Sequence, residues 1–444
     1  MLKLLFARKI ASIRGRLDSH TIEVVRGASV AFILKALGAV LAFAFNIRLT
    51  KLLGADDAGI YFLAITIVTI AGSMSCVGLD NTLLRFVAMN AAVDDWGTLK
   101  GACRKGITIA LFASVSLTLA LFFSAGWIST EIFSKPELTW SLRMMSVAIV
   151  PMTVLTLYAE MLKGLKRIRD SNLVQGVGIW GLALVGLFVL NSGERIHTAV
   201  WAYILAVVLT AVLAFSIWRL ATSHIRCERV RFETSKLLNT CIPLFWVSLL
   251  SLLVSLTSTF ILGIYGTKAE IGIFGAASRT AFLISFILVA INSISAPKFA
   301  ALYRLKDMKA LGSTARNSAK LLTILSAPVL LLFILFPSWV MGIYGAEFVA
   351  GGSVLIILAI GQFINVSTGS VGYLLIMSGN EKIMRNNLIA VTVLNVGLNF
   401  LLIPKYGMMG AAVATSISVS FQNLMASYLV HKSIKINTIP WLRA

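Results

Sequence analysis

The chain has 444 residues, of which 58% are hydrophobic and only 13% charged, with a mean hydropathy of +0.90. That apolar share excludes an ordinary soluble domain and points to a polytopic helical membrane protein. The formal net charge of +21 argues for no nucleic-acid partner, because the basic residues collect in alternate loops, as membrane insertion demands.

In chain order, residues 1–27 come first. Arg8, Lys9, Arg14 and Arg16 interrupt any apolar core of a signal peptide. Leu2, Phe6, Ile10, Ile13 and Leu17 share one helical face, which fits a short helix on an anionic leaflet or a basic cytoplasmic tail. Apolar runs long enough to cross about 30 Å of hydrocarbon then recur to the end. They predict about twelve spans, near 28–49, 58–79, 106–126, 139–160, 173–190 and 198–218, and near 239–262, 271–294, 320–341, 352–377, 387–403 and 408–430. Pro404 is expected to stop the eleventh, with Gly407 to Gly410 leading into the twelfth.

Loop charge sets the orientation. Lys and Arg crowd the N-terminus and the segments 80–105, 161–172, 219–236 and 298–320, whereas the loops at 127–138, 191–197, 263–270 and 342–351 hold between them only Lys135, Arg195 and Lys268. Both termini, including the 431–444 tail, are therefore expected in the cytoplasm. Six spans precede the basic linker at 219–238 and six follow it, giving an N-lobe of 28–218 and a C-lobe of 239–430. The halves also match each other. Gly164, Ile168 and Asn172 align with Gly379, Ile383 and Asn387 at a shift of 215 residues. Gly54 and Gly59 align with Gly266 and Gly272, and Gly193 with Gly407, at shifts of 212 to 214. An even number of spans per half makes these parallel repeats, with the expected substrate cavity between two lobes that rock against each other.

Ionisable side chains inside spans cost about 2.5–3.5 kcal/mol each at a helix centre on insertion scales, so each needs a reason. Lys35 lies about two turns into the first span and Arg279 into the eighth; their repeat counterparts, Ser248 and Thr66, are uncharged. Either they line a cavity for an anion, or they snorkel or pair with a carboxylate such as Glu160 or Asp80. Arg48, Arg85 and Arg143 lie near span ends, where headgroup contact is the simpler role. An Asp80–Arg85 contact at the cytoplasmic cavity mouth is a candidate gate. Asn395 and Asn399 share a helix face, and Gln362 and Asn365 mark the preceding span; this polar face either contacts substrate or bonds helix to helix. Four scattered cysteines and four histidines form no metal or catalytic spacing, and no cofactor is indicated. Mid-span carboxylates are scarce, which counts against a carrier of cations.

Several stretches resemble the polysaccharide-transporter branch of the multidrug/oligosaccharidyl-lipid/polysaccharide exporter superfamily, which includes the O-antigen flippases. They are the run from Arg48 through Gly54 and Gly59 to Tyr61, the eighth-span opening from Ile271 to Arg279, Ala296 to Tyr303, and 372–418. The resemblance implies an all-α fold of two six-helix lobes around a cationic cavity, in a bacterial inner membrane. It further implies movement of a polyprenyl-pyrophosphate-linked oligosaccharide from the cytoplasmic to the periplasmic leaflet. From their position in the chain, and not from the resemblance, Lys35, Arg279 and Arg85 are the residues expected to meet the pyrophosphate. The implied partners are that lipid-linked oligosaccharide, membrane lipids, and a glycan polymerase and assembly proteins of the same pathway. A multidrug extruder shares the fold but needs acidic cavity residues. A lipid II flippase typically carries extra C-terminal spans. A glycan polymerase, ligase or acyltransferase needs large loops and clustered His, Asp and Arg, and none is visible.

Overall fold

The computed structural model describes residues 19–190, 193–223 and 234–438. The segment expected to lie on the leaflet (1–17), the middle of the 219–238 linker and the end of the 431–444 tail fall outside these ranges. The described residues form helices and no strand, as they must where hydrocarbon offers backbone groups no water to bond.

The first lobe comprises α1 (Ser19–Ser75), α2 (Leu79–Ala91), α3 (Trp96–Trp127), α4 (Leu138–Ser146), α5 (Ile149–Gly164), α6 (Ile168–Val189) and α7 (Arg195–Ala221). The second comprises α8 (Thr234–Tyr265), α9 (Lys268–Arg304), α10 (Met308–Leu335), α11 (Pro337–Gly342), α12 (Gly352–Ser367), α13 (Val371–Met377) and α14 (Glu381–Ile434). Nine stretches of the described chain are long and apolar enough to cross a bilayer, or ten when the bent pair α4–α5 counts as one span. Two of these stretches are double. α1 breaks at Gly54 (φ 75°, ψ −176°) and α14 at Gly407 (φ 52°, ψ −131°), and each is long enough for two crossings. The total is consistent with the expected twelve.

Two boundaries differ from the sequence reading. Pro404 lies inside α14, and the chain turns only at Gly407. Neighbouring groups in a membrane bundle can satisfy the carbonyl that proline leaves without an N–H, whereas the Gly407 backbone (φ 52°, ψ −131°) is one that residues with side chains rarely adopt. The 80–105 segment is not loop: α2 buries Leu79, Thr82, Leu83 and Val87 along one side. The repeat does surface in the backbone, since Gly193 (φ 82°) and Gly407, aligned by the repeat, are both left-handed turns.

The turns at 76–78, 165–167, 305–307 and 378–380 lie on the face that carries the basic segments, called here the basic face. The breaks at Gly54 and Gly407 lie on the opposite, far face. Burial shows how the lobes meet. A continuous core that includes Phe45, Leu63 and Leu138 from the first lobe and Ile271, Phe348 and Ile403 from the second fills the far half. Towards the basic face it gives way to two separate cores, one around Leu83, Leu155 and Met161 and one around Phe299, Leu374 and Val430. The lobes share one core at the far face; at the basic face their cores are separate, and the 76–78 turn meets the start of α8.

Candidate functional site

Glycine seals the far end. Where α1 descends from its break it crosses the start of α9, and a Cβ on Gly59 would stand 1.9 Å from the Lys268 carbonyl oxygen. A Cβ on Gly272 would stand 2.2 Å from that of Ala55. Only hydrogen fits at either place. Polar contacts between the lobes ring this seam. Glu347 Oε2 accepts from the Ala55 amide at 2.6 Å, Lys135 Nζ donates to the Gly263 carbonyl at 2.8 Å, and Lys268 Nζ pairs with Glu137 Oε1 at 3.0 Å. The Lys268–Glu137 pair lies outside the spans. Glu137 is held below the usual carboxylate range by its own backbone N–H first and the Lys268 ammonium second, and Lys268 is raised by the same bond.

Below the seam a cavity of about 890 Å³ occupies the gap between the two basic-half cores. Its walls are helical stripes: Lys35, Gly38, Ala39, Ala42 and Asn46 on α1, Ser278, Arg279, Phe282, Phe286 and Val289 on α9, and Thr415, Val419, Gln422 and Asn423 on α14. α6 contributes Gly176 and Trp180. Gly176 lies in a π-helical turn, Leu173–Gly178, and a Cβ on Gly38 would come within 3.0 Å of it, so α1 and α6 meet backbone to backbone. Among the described residues, two cations, Lys35 and Arg279, line the cavity, and no Asp or Glu does.

Arg279 is anchored from within the protein. Its guanidinium carbon lies 3.9 Å from the centre of the Phe62 ring, and Nη1 donates to the Gly275 carbonyl at 2.9 Å. No carboxylate among the described residues pairs with it. Lys35 is half-buried, with no hydrogen bond or ion pair among the described residues. The carboxylate whose charge reaches it, Glu160, is committed to Lys163 and to Gln175 Nε2 (3.2 Å). Phe62 and Asn46 each lie eight residues from Gly54 on opposite arms of α1, so Arg279 and Asn46 share one depth. Lys35 precedes Asn46 by eleven residues, about 16 Å nearer the basic face. One cation marks the cavity's apex and the other its mouth.

The structure does not bring together every residue singled out in the sequence. Gln362 and Asn365 line the cavity. Asn395 and Asn399 do not: at 1% and 0% exposure they are packed within the second lobe, where Asn399 Nδ2 donates to the Asn395 carbonyl at 2.7 Å. Their i,i+4 spacing identified one shared face and left open which neighbour it meets. Arg85 is exposed and absent from the lining, and it makes no ion pair with Asp80, whose Oδ2 accepts from Asn81 at 3.2 Å. The three-cation clamp of Lys35, Arg279 and Arg85 is therefore not assembled here. Arg48 and Arg143 stack on Phe188 and Phe122. Sequence reasoning passed over Asn46, Gln422 and Asn423; the stripes on which they recur, i, i+4, i+7 along α1 and α14, were the available signal.

A profile of the family described as "Polysaccharide biosynthesis protein" matches residues 24–303, more than half the chain. The chain belongs to this family. Its relatives include the "Probable low-salt glycan biosynthesis flippase Agl15" of Haloferax volcanii, 24% identical over 93% of this chain and 85% of the relative. A "Putative O-antigen transporter" of Shigella flexneri is 24% identical over 86% of this chain and 91% of its own length. In fold, this family member is similar to an inward-facing multidrug resistance MATE family transporter of the MOP superfamily, with a TM-score of 0.74 and 15% identity over 92% and 98% of the two chains. It is also similar to the lipid II flippase MurJ in an inward closed conformation, with a TM-score of 0.69 and 16% identity over 90% and 86%.

Proposed function

We propose that the protein is a flippase for polyprenyl-pyrophosphate-linked oligosaccharides, taking the glycan headgroup from the leaflet at the basic, cytoplasmic face to the far, periplasmic leaflet. The observation that carries the reading is the cavity between the lobes, lined among the described residues by two cations that no carboxylate pairs with and by no Asp or Glu. In such a low-dielectric setting charge-assisted bonds to a diphosphate are strong, whereas a cationic drug would meet only repulsion. The names of the relatives from Haloferax volcanii and Shigella flexneri, a glycan biosynthesis flippase and an O-antigen transporter, support a glycan as the cargo.

The depths of the two cations imply an order of events. Lys35 meets the diphosphate at the mouth, and Arg279 takes it at the apex. The glycan occupies the amide-lined gap and the prenyl tail stays in the bilayer. Release requires the Gly59–Gly272 seam to part while the basic halves close, which is alternating access by rocking lobes.

The test is leaflet transfer of a lipid-linked oligosaccharide in sealed proteoliposomes, read by glycan accessibility, with cationic dye efflux measured in parallel. Transfer without efflux is the expected result. Efflux without transfer would replace the flippase with a drug extruder.

A further inference from the structure

Two amides of the cavity wall turn back on their own helix. Asn46 Nδ2 donates to the Ala42 carbonyl at 2.7 Å, and Asn423 Nδ2 to that of Val419 at 2.8 Å. One cluster differs. Ser285 of α9 donates its hydroxyl to Gln362 Oε1 of α12, and Asn365 Nδ2 donates both to Ser285 Oγ (3.2 Å) and to Gln362 Oε1 (3.3 Å). Three side chains on two helices thus fix each other's rotamers, the support a binding constellation needs.

This cluster leaves the Gln362 Nε2 donor and the Asn365 Oδ1 acceptor without a partner among the described residues, on two side chains that line the cavity. The assignment of amide atoms does not alter the outcome. If both amides are turned over, Gln362 donates to Ser285 and Asn365, and the unpartnered pair becomes a Gln362 acceptor beside an Asn365 donor. Turning over only one would set two N–H₂ groups or two carbonyls against each other at 3.3 Å. Every satisfied arrangement presents one donor next to one acceptor.

We propose that Gln362 and Asn365 form a subsite that reads a pair of neighbouring hydroxyls on a neutral sugar ring. One hydroxyl donates to the amide carbonyl and its neighbour accepts from the amide N–H₂. An acetamido group does not fit the pair from one edge, because a trans amide points its N–H and C=O in opposite directions. A carboxylate meets the carbonyl unfavourably. Phe282 and Phe286, which bracket Ser285 on α9 and line the cavity, offer apolar surface for the ring's C–H face. The subsite lies six residues from Arg279 along α9, about 9 Å towards the basic face. Resting on the flippase reading, with a diphosphate on Arg279, it reads a ring near the phosphoryl end of the glycan.

The experiment measures equilibrium binding to the full-length protein in nanodiscs. Its probes are a short-chain prenyl pyrophosphate without sugar, the same lipid bearing a neutral hexose disaccharide, and the analogues with one hydroxyl of the first ring removed at a time. In wild type the sugar is expected to tighten binding about tenfold, and removal of either member of one neighbouring hydroxyl pair should cancel that gain. In Gln362→Leu and Asn365→Leu the ratio of sugar-bearing to sugarless affinity should fall to about one. Equal binding of every deoxy analogue by wild type, an arm that needs no variant, would overturn the subsite and leave the flippase standing. So would leucine variants that keep the preference. No binding of either the sugarless or the sugar-bearing probe would overturn the subsite together with the flippase reading.

Discussion

Arg279 and Lys35 carry the same charge in different settings, and the difference predicts different kinetics. Arg279 is held by a ring face and a carbonyl, both of which suit a planar guanidinium better than an ammonium. Arg279→Lys should therefore bind prenyl pyrophosphate less well than wild type, and Arg279→Gln should lose at least tenfold in maximal transfer rate. Lys35, about 16 Å away at the mouth, acts on capture. In Lys35→Gln the half-saturating substrate concentration should rise and the salt dependence should flatten, with the maximal rate reduced less than in Arg279→Gln. Transfer assays across substrate and salt concentration check both. Identical defects in the two variants would mean that the cations act on one phosphate at one time.

At the scale of helices, two glycines decide how closely the lobes meet. Backbone atoms occupy the space a methyl group on Gly59 would need, and backbone cannot yield as a flexible side chain can. Gly59→Ala should therefore hold the far face apart, seen as a longer distance between spin labels at Thr130 and Val349, both exposed on that side. The Lys268–Glu137 pair adds a smaller, titratable contribution. Glu137 is held low, so its contribution is complete above the ordinary carboxylate value and fades as pH falls through the lowered one. The side chains are 35% and 59% exposed, so solvent screens the pair to about 1 kcal/mol or less. Acidification of the far face, or Glu137→Gln, should shift the label distances only a few-fold in population. These elements also show what was legible in the sequence. The all-α, many-span architecture and the Gly54 and Gly272 stretches followed from hydropathy and the repeat, because both depend on local residue type. Whether Asn395 or Asn46 faces the cavity depends on how each helix is rotated against its neighbours, and spacing along one helix does not contain that. Lys35 and Arg279 were legible because an unpaired cation in a span leaves few alternatives. Arg85 was not, because near a span end exposure to headgroups and placement in a cavity mouth share one sequence signature.

For the whole molecule, one core continuous across both lobes at the far face and two cores at the basic face describe a hinge closed on one side. Interior packing is bistable rather than continuously deformable. The lobes should thus exchange between this arrangement and one in which the seam parts and the basic halves meet. A first contact for the second arrangement is already in place. A Cβ on Gly78 would stand 2.4 Å from the Cys241 carbonyl at the start of α8, and Asn81 Nδ2 donates to Ser248 Oγ at 3.4 Å. If rocking carries the substrate, a tether across the far face must stop transport without emptying the cavity. The ion pair supplies the place for it: Glu137→Cys with Lys268→Cys, in a background with the native cysteines replaced, bridged by a short cleavable bis-maleimide. Bridged protein should bind the prenyl pyrophosphate probe but transfer none, and cleavage of the linker should restore transfer. Undiminished transfer through the bridged protein would show that the headgroup crosses without parting the seam, and the two-lobe mechanism would fail with the seam intact.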